Sequence, residues 1–555
     1  MLKKIKKHCE DGIHALEETV QDFKASGSQP PPLPDQPPSS QQSQRSNYGW
    51  QTPGGDQPEQ STKPPHITLG PVDEAEWENW FHNRRVSMNY TCEKDKNDLL
   101  REFVHSSKWL SKFEAKGKRL MADKIGDVIA ADEMNIDMSP CPFGHEMRRR
   151  HFNHIQGNFL NSASYGCTAD VVFKARQELE LRMHSNNIMW RFRSVPVRVR
   201  QAELALANVI KADPDDLTFI PNANYGTNCI FKSLPWQPGD VLLVFSCDYE
   251  ATLHACEWLR WHHRVEIETV DMPLPATDQE IVYRVHAALE RLRAENRLPK
   301  LANFCHVTSK TAFIFPAKDL VRLFHQYGVS VAVDGAQAAG HIDINVGDIK
   351  ADFYVGTMHK WMYTCPGVGF LVVQPTKQAL IGPLVVSYFY GKGFVKEFSY
   401  TGLMDFTGYI TAQYAIEFVK KVCGSFTAMR NYIHGLAQQA AALLTERWGT
   451  GCIQGDPAHY GAMPIIELPH QLLPTREPTA MDAAALMLAL MQQNVTCFVY
   501  VDEFGGRKCL VIRLAVQIFH ELADFEHLAE AVLKVDLRRY GQEAVEKCLC
   551  FVKQT

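Results

Sequence analysis

Between about Phe152 and Val422 the chain alternates short β-branched runs with longer helical stretches, and this rhythm restricts the fold more than any other feature. The runs are LTFIP (217–221), VLLVFS (241–246), VEIETVDM (265–272), LANFCHVT (301–308), VSVAVDG (329–335), DFYVGT (352–357) and GFLVVQ (369–374). Between them lie TADVVFKARQELELRM, GTNCIFKSL, EATLHACEWLRWHH, DQEIVYRVHAALERLRAEN and AKDLVRLFHQYG, whose apolar residues recur three and four apart. Strands that alternate with helices argue for an α/β domain around a mostly parallel sheet. Near Val422 the rhythm changes to a long helix, SFTAMRNYIHGLAQQAAALLTERW, followed by strands at MPIIEL, TCFVYV and CLVIRLA and helices at MDAAALMLALMQQ and DFEHLAEAVLKV. We read residues 147–421 as a large domain and 422–555 as a smaller α+β domain.

The amino-terminal part is built differently. Ile5, Ile13, Leu16, Val20 and Phe23 recur at helical spacing, which predicts a short amphipathic helix over 1–24. Residues 25–71, with PPPLPDQPP and SSQQSQ, hold too few apolar groups to offset their ordering entropy and read as a disordered Pro/Gln/Ser-rich linker. Residues 72–146 read as a helical extension, and this amino-terminal part is where a protein partner would dock. A net charge of −5, from 58 basic and 63 acidic side chains, supplies no field for gripping nucleic acid or anionic membranes. The apolar runs are too short to span a bilayer. Fifteen cysteines without CxxC spacing predict neither a metal site nor a disulfide framework and fit a reducing, cytoplasmic setting.

The chemistry concentrates in SVAVDGAQAAGHIDINVGDIKADFYVGTMHKWMYTCPGVGFLVV, where one strand ends in Asp334 and the next leads to His359 and Lys360. No GxGxxG opens a helix and no GxxxxGK[ST] occurs, so nucleotide fingerprints are absent. An acid closing an apolar strand, with a His-Lys pair before a Gly-rich strand, resembles the class-V aminotransferase family, fold-type I enzymes that use pyridoxal 5'-phosphate. The resemblance implies that Lys360 forms the Schiff base and carries protons. It implies that Asp334 holds the proton on the pyridine nitrogen, that Gln337 reaches the phenolic oxygen and that His359 reaches the phosphate.

Further segments agree in order along the chain. NFLNSASYGCTADVV is similar to the opening segment of the isopenicillin N epimerase and carbon-sulfur lyase branch, with Asn161-Ser162-Ala163-Ser164 where that branch reads NHGS. DDLTFIPNANYGTNCIFKSL resembles the phosphate-binding strand, turn and helix, which makes Ala223, Asn224 and Tyr225 the cradle. SCDYEATLHACEWL resembles a segment whose aromatic residue stacks on the cofactor ring, which implies Tyr249 over the ring with its hydroxyl free for proton transfer. HVTSKTAFIFPAKDLV resembles the family's HITSPTA stretch, which implies Thr308 and Ser309 near the cofactor, with Lys310 as an extra cation where the family has proline. FSYTGLMDFTGY resembles a loop that completes the neighbouring subunit's phosphate site, so Thr401 and Gly402 imply a homodimer. CLVIRLAVQIFHELADFEHLAEAV makes Arg513 the clamp for a substrate α-carboxylate, with Phe519, His520 and Glu521 departing from the family's YNT.

The resemblance implies a small-molecule amino-acid substrate and chemistry at Cα or Cβ. Epimerisation, carbon-sulfur cleavage and transamination share these motifs. Two alternatives are a cysteine desulfurase-like enzyme, for which Cys497 and Cys509 are the cysteines preceding Arg513, and a non-catalytic fold-type I scaffold. Both cysteines lie in apolar β-like runs, which argues for structural roles.

Overall fold

The computed structural model describes residues 136–473 and 476–540. The amphipathic pattern over 1–24, the linker 25–71 and most of the 72–146 extension lie outside the described residues. Twelve strands are described. They are β1 (Asn158–Phe159), β2 (Leu217–Ile220), β3 (Val241–Phe245), β4 (Glu266–Val270), β5 (Leu301–Cys305), β6 (Ser330–Gly335), β7 (Phe353–Thr357), β8 (Gly369–Val373), β9 (Ile465–Glu467), β10 (Val495–Thr496), β11 (Phe498–Phe504) and β12 (Arg507–Arg513).

Strands β2 to β8 form one seven-stranded sheet in the order β2-β8-β7-β6-β5-β3-β4. The pairs from β4 to β7 are parallel, and β8 runs antiparallel to both its neighbours. Every residue of β2, β3, β5, β7 and β8 is buried, as strands covered by helices on both faces must be. The covering helices follow from the sequence pattern. Helix Asp278–Ala294 starts at a Thr277/Glu280 capping box and buries Ile281, Val285, Leu289 and Leu292 along one face. Helix Ala223–Ser233 lies so close to the sheet that a Cβ on Gly226 would come 2.6 Å from the Ile220 Cδ1 and 2.8 Å from the Val355 Cγ1. Close packing of this helix aims its N-terminus at the carboxyl ends of the strands. That edge is where open α/β sheets place ligands.

Two buried helices, Val195–Ile210 and Thr407–Lys421, were not marked by the sequence rhythm. The first opens Val-Pro-Val, which reads locally as extended chain, yet Pro at a first helical turn loses no hydrogen bond. A second, antiparallel sheet has the order β11-β12-β9 and packs against helix Phe426–Trp448. The boundary between the two regions is less clean than the sequence suggested. Asn158 and Phe159 pair in parallel with Val495 and Thr496, and the Gly144 N–H donates to the Ile518 carbonyl at 2.8 Å. Residues 136–144 are non-helical, and the helix His145–His151 starts only at the end of the expected extension.

Candidate active site

Asp334 closes β6 and is 4% exposed. Lys360 stands on the turn that follows the neighbouring strand β7, so the parallel pairing of β6 and β7 brings acid and amine to one edge. Burial pushes the Asp334 carboxyl above its ordinary range, while the Ala336 N–H at 2.9 Å and the Lys360 charge pull it back. Burial likewise lowers the Lys360 amine to about 8, opposed by Asp334 and reinforced by the Arg513 charge. Each group alone is driven toward neutrality, and a cation brought against Asp334 would restore its charge.

His359 brings an observation that the sequence could not supply: its Nδ1 is buried and has no hydrogen-bond partner. Burial, and the Lys360 charge beside it, hold this imidazole down at about 4, so it is neutral. After β2, the N-terminus of helix Ala223–Ser233 offers the first-turn amides of Ala223 and Asn224. The Tyr225 amide is already taken by the Asn222 side chain at 2.9 Å, and its hydroxyl accepts from Leu384 N–H at 3.3 Å. The cradle is therefore narrower than the three residues expected. An orphaned buried nitrogen, helix amides and an acid beside a lysine together fit a phosphorylated pyridine aldehyde.

Gln337 is held by the protein on both sides. Its Nε2 donates to the Ala163 carbonyl at 2.9 Å and its Oε1 accepts from the Trp361 indole at 2.8 Å, leaving one amide N–H for a ligand. Thr308 also works within the fold, since its Oγ1 meets Thr311 Oγ1 and the Phe313 N–H, both at 2.7 Å. Tyr249 precedes helix Glu250–His263 at the mouth and is 45% exposed, a ring open to stacking. Asp248 beside it was missed by the sequence reading. It is buried, caps the Phe245 and Cys305 amides at the ends of β3 and β5, and is raised by burial to about 7.

Arg513 ends β12 and is 2% exposed. Its Nη1 donates to the Ser309 carbonyl, its Nη2 donates to Asn161 Oδ1 and Ser164 Oγ at 2.9 Å each, and its Nε has no partner. The guanidinium lies 4.7 Å from the Phe498 ring, its cross-strand neighbour. Among the described residues no carboxylate pairs with this cation, and burial lowers it to about 10. A buried guanidinium without an acid is costly unless a ligand supplies one. Asn161 and Ser164 entered the sequence reading as departures from a motif, and here they are the fork's partners.

Lys310 is partly exposed and pairs with Asp502 at 2.9 Å, so its charge is neutralised within the chain. His520, which departs from the family's YNT, is 1% exposed, accepting from the Gln517 N–H at 3.1 Å and donating to the Phe159 carbonyl at 2.9 Å. Thr401 and Gly402 lie on a half-buried loop, where Gly402 adopts φ +124° with open space around it. Cys497 and Cys509 are both buried, and burial raises Cys497 to about 12. Among the described residues no cluster of side chains forms a metal site.

The family described as aminotransferase class-V matches residues 160–467. An L-cysteine desulfhydrase of Arabidopsis thaliana is 24% identical over 399 residues, covering 68% of this chain and 87% of that protein. The isopenicillin N epimerase of Streptomyces clavuligerus is 27% identical, covering 67% and 93%. The hercynylcysteine sulfoxide lyase of Schizosaccharomyces pombe is 23% identical, covering 70% and 97%. Among solved structures, the cystine C–S lyase C-DES with its product cysteine persulfide aligns with a TM-score of 0.57 at 16% identity, over 68% of this chain and 97% of that one. The seven-stranded sheet, the order of its strands and the match over more than half the chain converge: this protein belongs to the class-V aminotransferase family, pyridoxal-phosphate-dependent enzymes of fold type I.

Proposed function

We propose that this enzyme is a carbon-sulfur lyase acting on an α-amino acid whose side chain carries sulfur. The observation that carries the α-amino acid part of the reading is Arg513, a buried guanidinium with an unpartnered Nε and no acid partner among the described residues, in the same site as Lys360 and Asp334. When bound, pyridoxal phosphate supplies an electron sink for the pair left as a bond to Cα breaks. His359 Nδ1 and the Ala223 and Asn224 amides would hold its phosphate, Asp334 a proton on its ring nitrogen, and Gln337 and Tyr249 its ring. Arg513 and Asn161 bind the substrate carboxylate and orient Cα toward Lys360. Lys360 Nζ, with its affinity for protons lowered, takes the Cα proton and returns it where the product needs it.

The relatives named above include a desulfhydrase and a sulfoxide lyase, and these favour elimination over epimerisation or transamination. In that reaction the Cβ–S bond breaks, and one water converts the remaining fragment to pyruvate and ammonia while the sulfur leaves as a thiol. The free state of eleven described cysteines supports a cytoplasmic location, and no described helix is long and apolar enough to cross a membrane. The test is product analysis with L-cysteine S-conjugates. Equal amounts of pyruvate, ammonia and thiol are expected, undiminished by Cys497→Ala. With free L-cysteine in place of the conjugates, alanine and an enzyme-bound persulfide, lost in that variant, would show desulfurase chemistry instead.

A further inference from the structure

Gln517 lies four residues beyond Arg513 and is wholly buried, as are the two side chains it touches, Ser162 and Tyr363. Its Nε2 donates to Ser162 Oγ at 2.8 Å and its Oε1 accepts from the Tyr363 hydroxyl at 2.8 Å. Tyr363 stands three residues after Lys360 in a left-handed conformation, φ +61°. Ser162 opens the one-turn helix Ser162–Tyr165. On one side of that turn Asn161 Oδ1 and Ser164 Oγ receive Arg513, and Ser164 also donates to Asn161 at 2.8 Å. From the other side the turn is gripped by two amides, Gln517 on Ser162 and Gln337 on the Ala163 carbonyl.

We infer that Gln517 is a positioning residue for the carboxylate fork, setting the Asn161–Ser164 turn through Ser162 and tying it to the Lys360 turn through Tyr363. An apolar side chain in its place leaves the buried Ser162 hydroxyl without its donor and the Tyr363 hydroxyl without its acceptor, and the turn shifts until they find partners. The acceptors of Arg513 move with it, and the fork loses its aim. Gln517 makes no bond to the Lys360 amine or the Asp334 carboxylate, so the larger effect falls on carboxylate recognition.

The inference rests on reading Arg513 as the carboxylate clamp, and the experiment separates the two. The cofactor-loaded enzyme is titrated with S-methyl-L-cysteine and with 2-(methylthio)ethylamine, the same molecule without its carboxylate, and binding is followed by visible absorption. Gln517→Leu and Ser162→Ala should each reduce the preference for the amino acid by about tenfold while amine affinity stays within about twofold. In an Arg513→Ala background, adding Gln517→Leu should change nothing further, a coupling that a general loss of stability would not produce. Should Gln517→Leu fail to fold, Tyr363→Phe keeps the ring and removes one bond, with a loss of about threefold expected. Undiminished preference in these variants, or equal losses for both probes, overturns the inference alone. A parent enzyme without any preference overturns the clamp reading and the inference with it.

Discussion

At the residue scale, Lys360 links the fold to its chemistry through a measurable pH signature. Burial lowers its amine from the ordinary 10.5 to about 8, so between those values the unfolded chain binds more protons than the folded one. The charged lysine therefore destabilises the cofactor-free protein below about pH 8, and that penalty fades as pH rises toward 10.5. Lys360→Met should stabilise the cofactor-free protein below pH 8, with a gain that shrinks across this window, as read from denaturation midpoints of the two proteins. A gain that stays constant or grows with pH would show that the amine is not held in a desolvated site. Lys360 and Asp334 stood out in the sequence through their resemblance to the family's motif, and the pairing of β6 and β7 brings both to one sheet edge. The partners of Arg513 were not legible there, because Asn161, Ser164 and Ser309 meet it only after two distant segments fold together.

At the scale of elements, the strands of the large sheet were legible to within about three residues at their ends, best where a run is buried on both faces, whereas the two-residue β1 was not legible. Helices Val195–Ile210 and Thr407–Lys421 were not legible either, because β-branched and aromatic residues weaken their helical signature and packing of their buried faces stabilises them. The turn Ser162–Tyr165 was also invisible as structure, being too short for any periodicity. Its end is fixed by Gly166, at φ +82°, where a Cβ would fall inside the His359 carbonyl. Gly166→Ala therefore combines a disfavoured backbone angle with a backbone clash. It should cost more than about 2 kcal/mol and weaken cofactor retention, as measured by thermal unfolding with and without pyridoxal phosphate. An unchanged unfolding temperature would contradict the close approach of these two turns.

For the whole molecule, the described surface carries exposed apolar groups that a monomer has no use for. Val386, Tyr388 and Tyr390 are each at least 72% exposed, and Leu403 is 76% exposed beside Thr401 and Gly402. Tyr388 stacks on Tyr400, and Arg191 lies over the same ring at 4.2 Å, so the loop bearing Thr401 is joined to this apolar surface. We propose that a homodimer closes over these residues. Val386→Asp with Tyr388→Lys should convert the protein to monomers that release cofactor readily, as seen by sedimentation and dialysis. A parent protein that sediments as a fully active monomer would refute the dimer. The central claim is that one lysine, Lys360, carries the cofactor. The most direct measurement is borohydride reduction of the cofactor-loaded protein, followed by mass analysis of its peptides. The account predicts a single added phosphopyridoxyl group on the peptide containing Lys360 and none in Lys360→Ala. Stable modification of a different lysine, or an undiminished adduct in that variant, would contradict it.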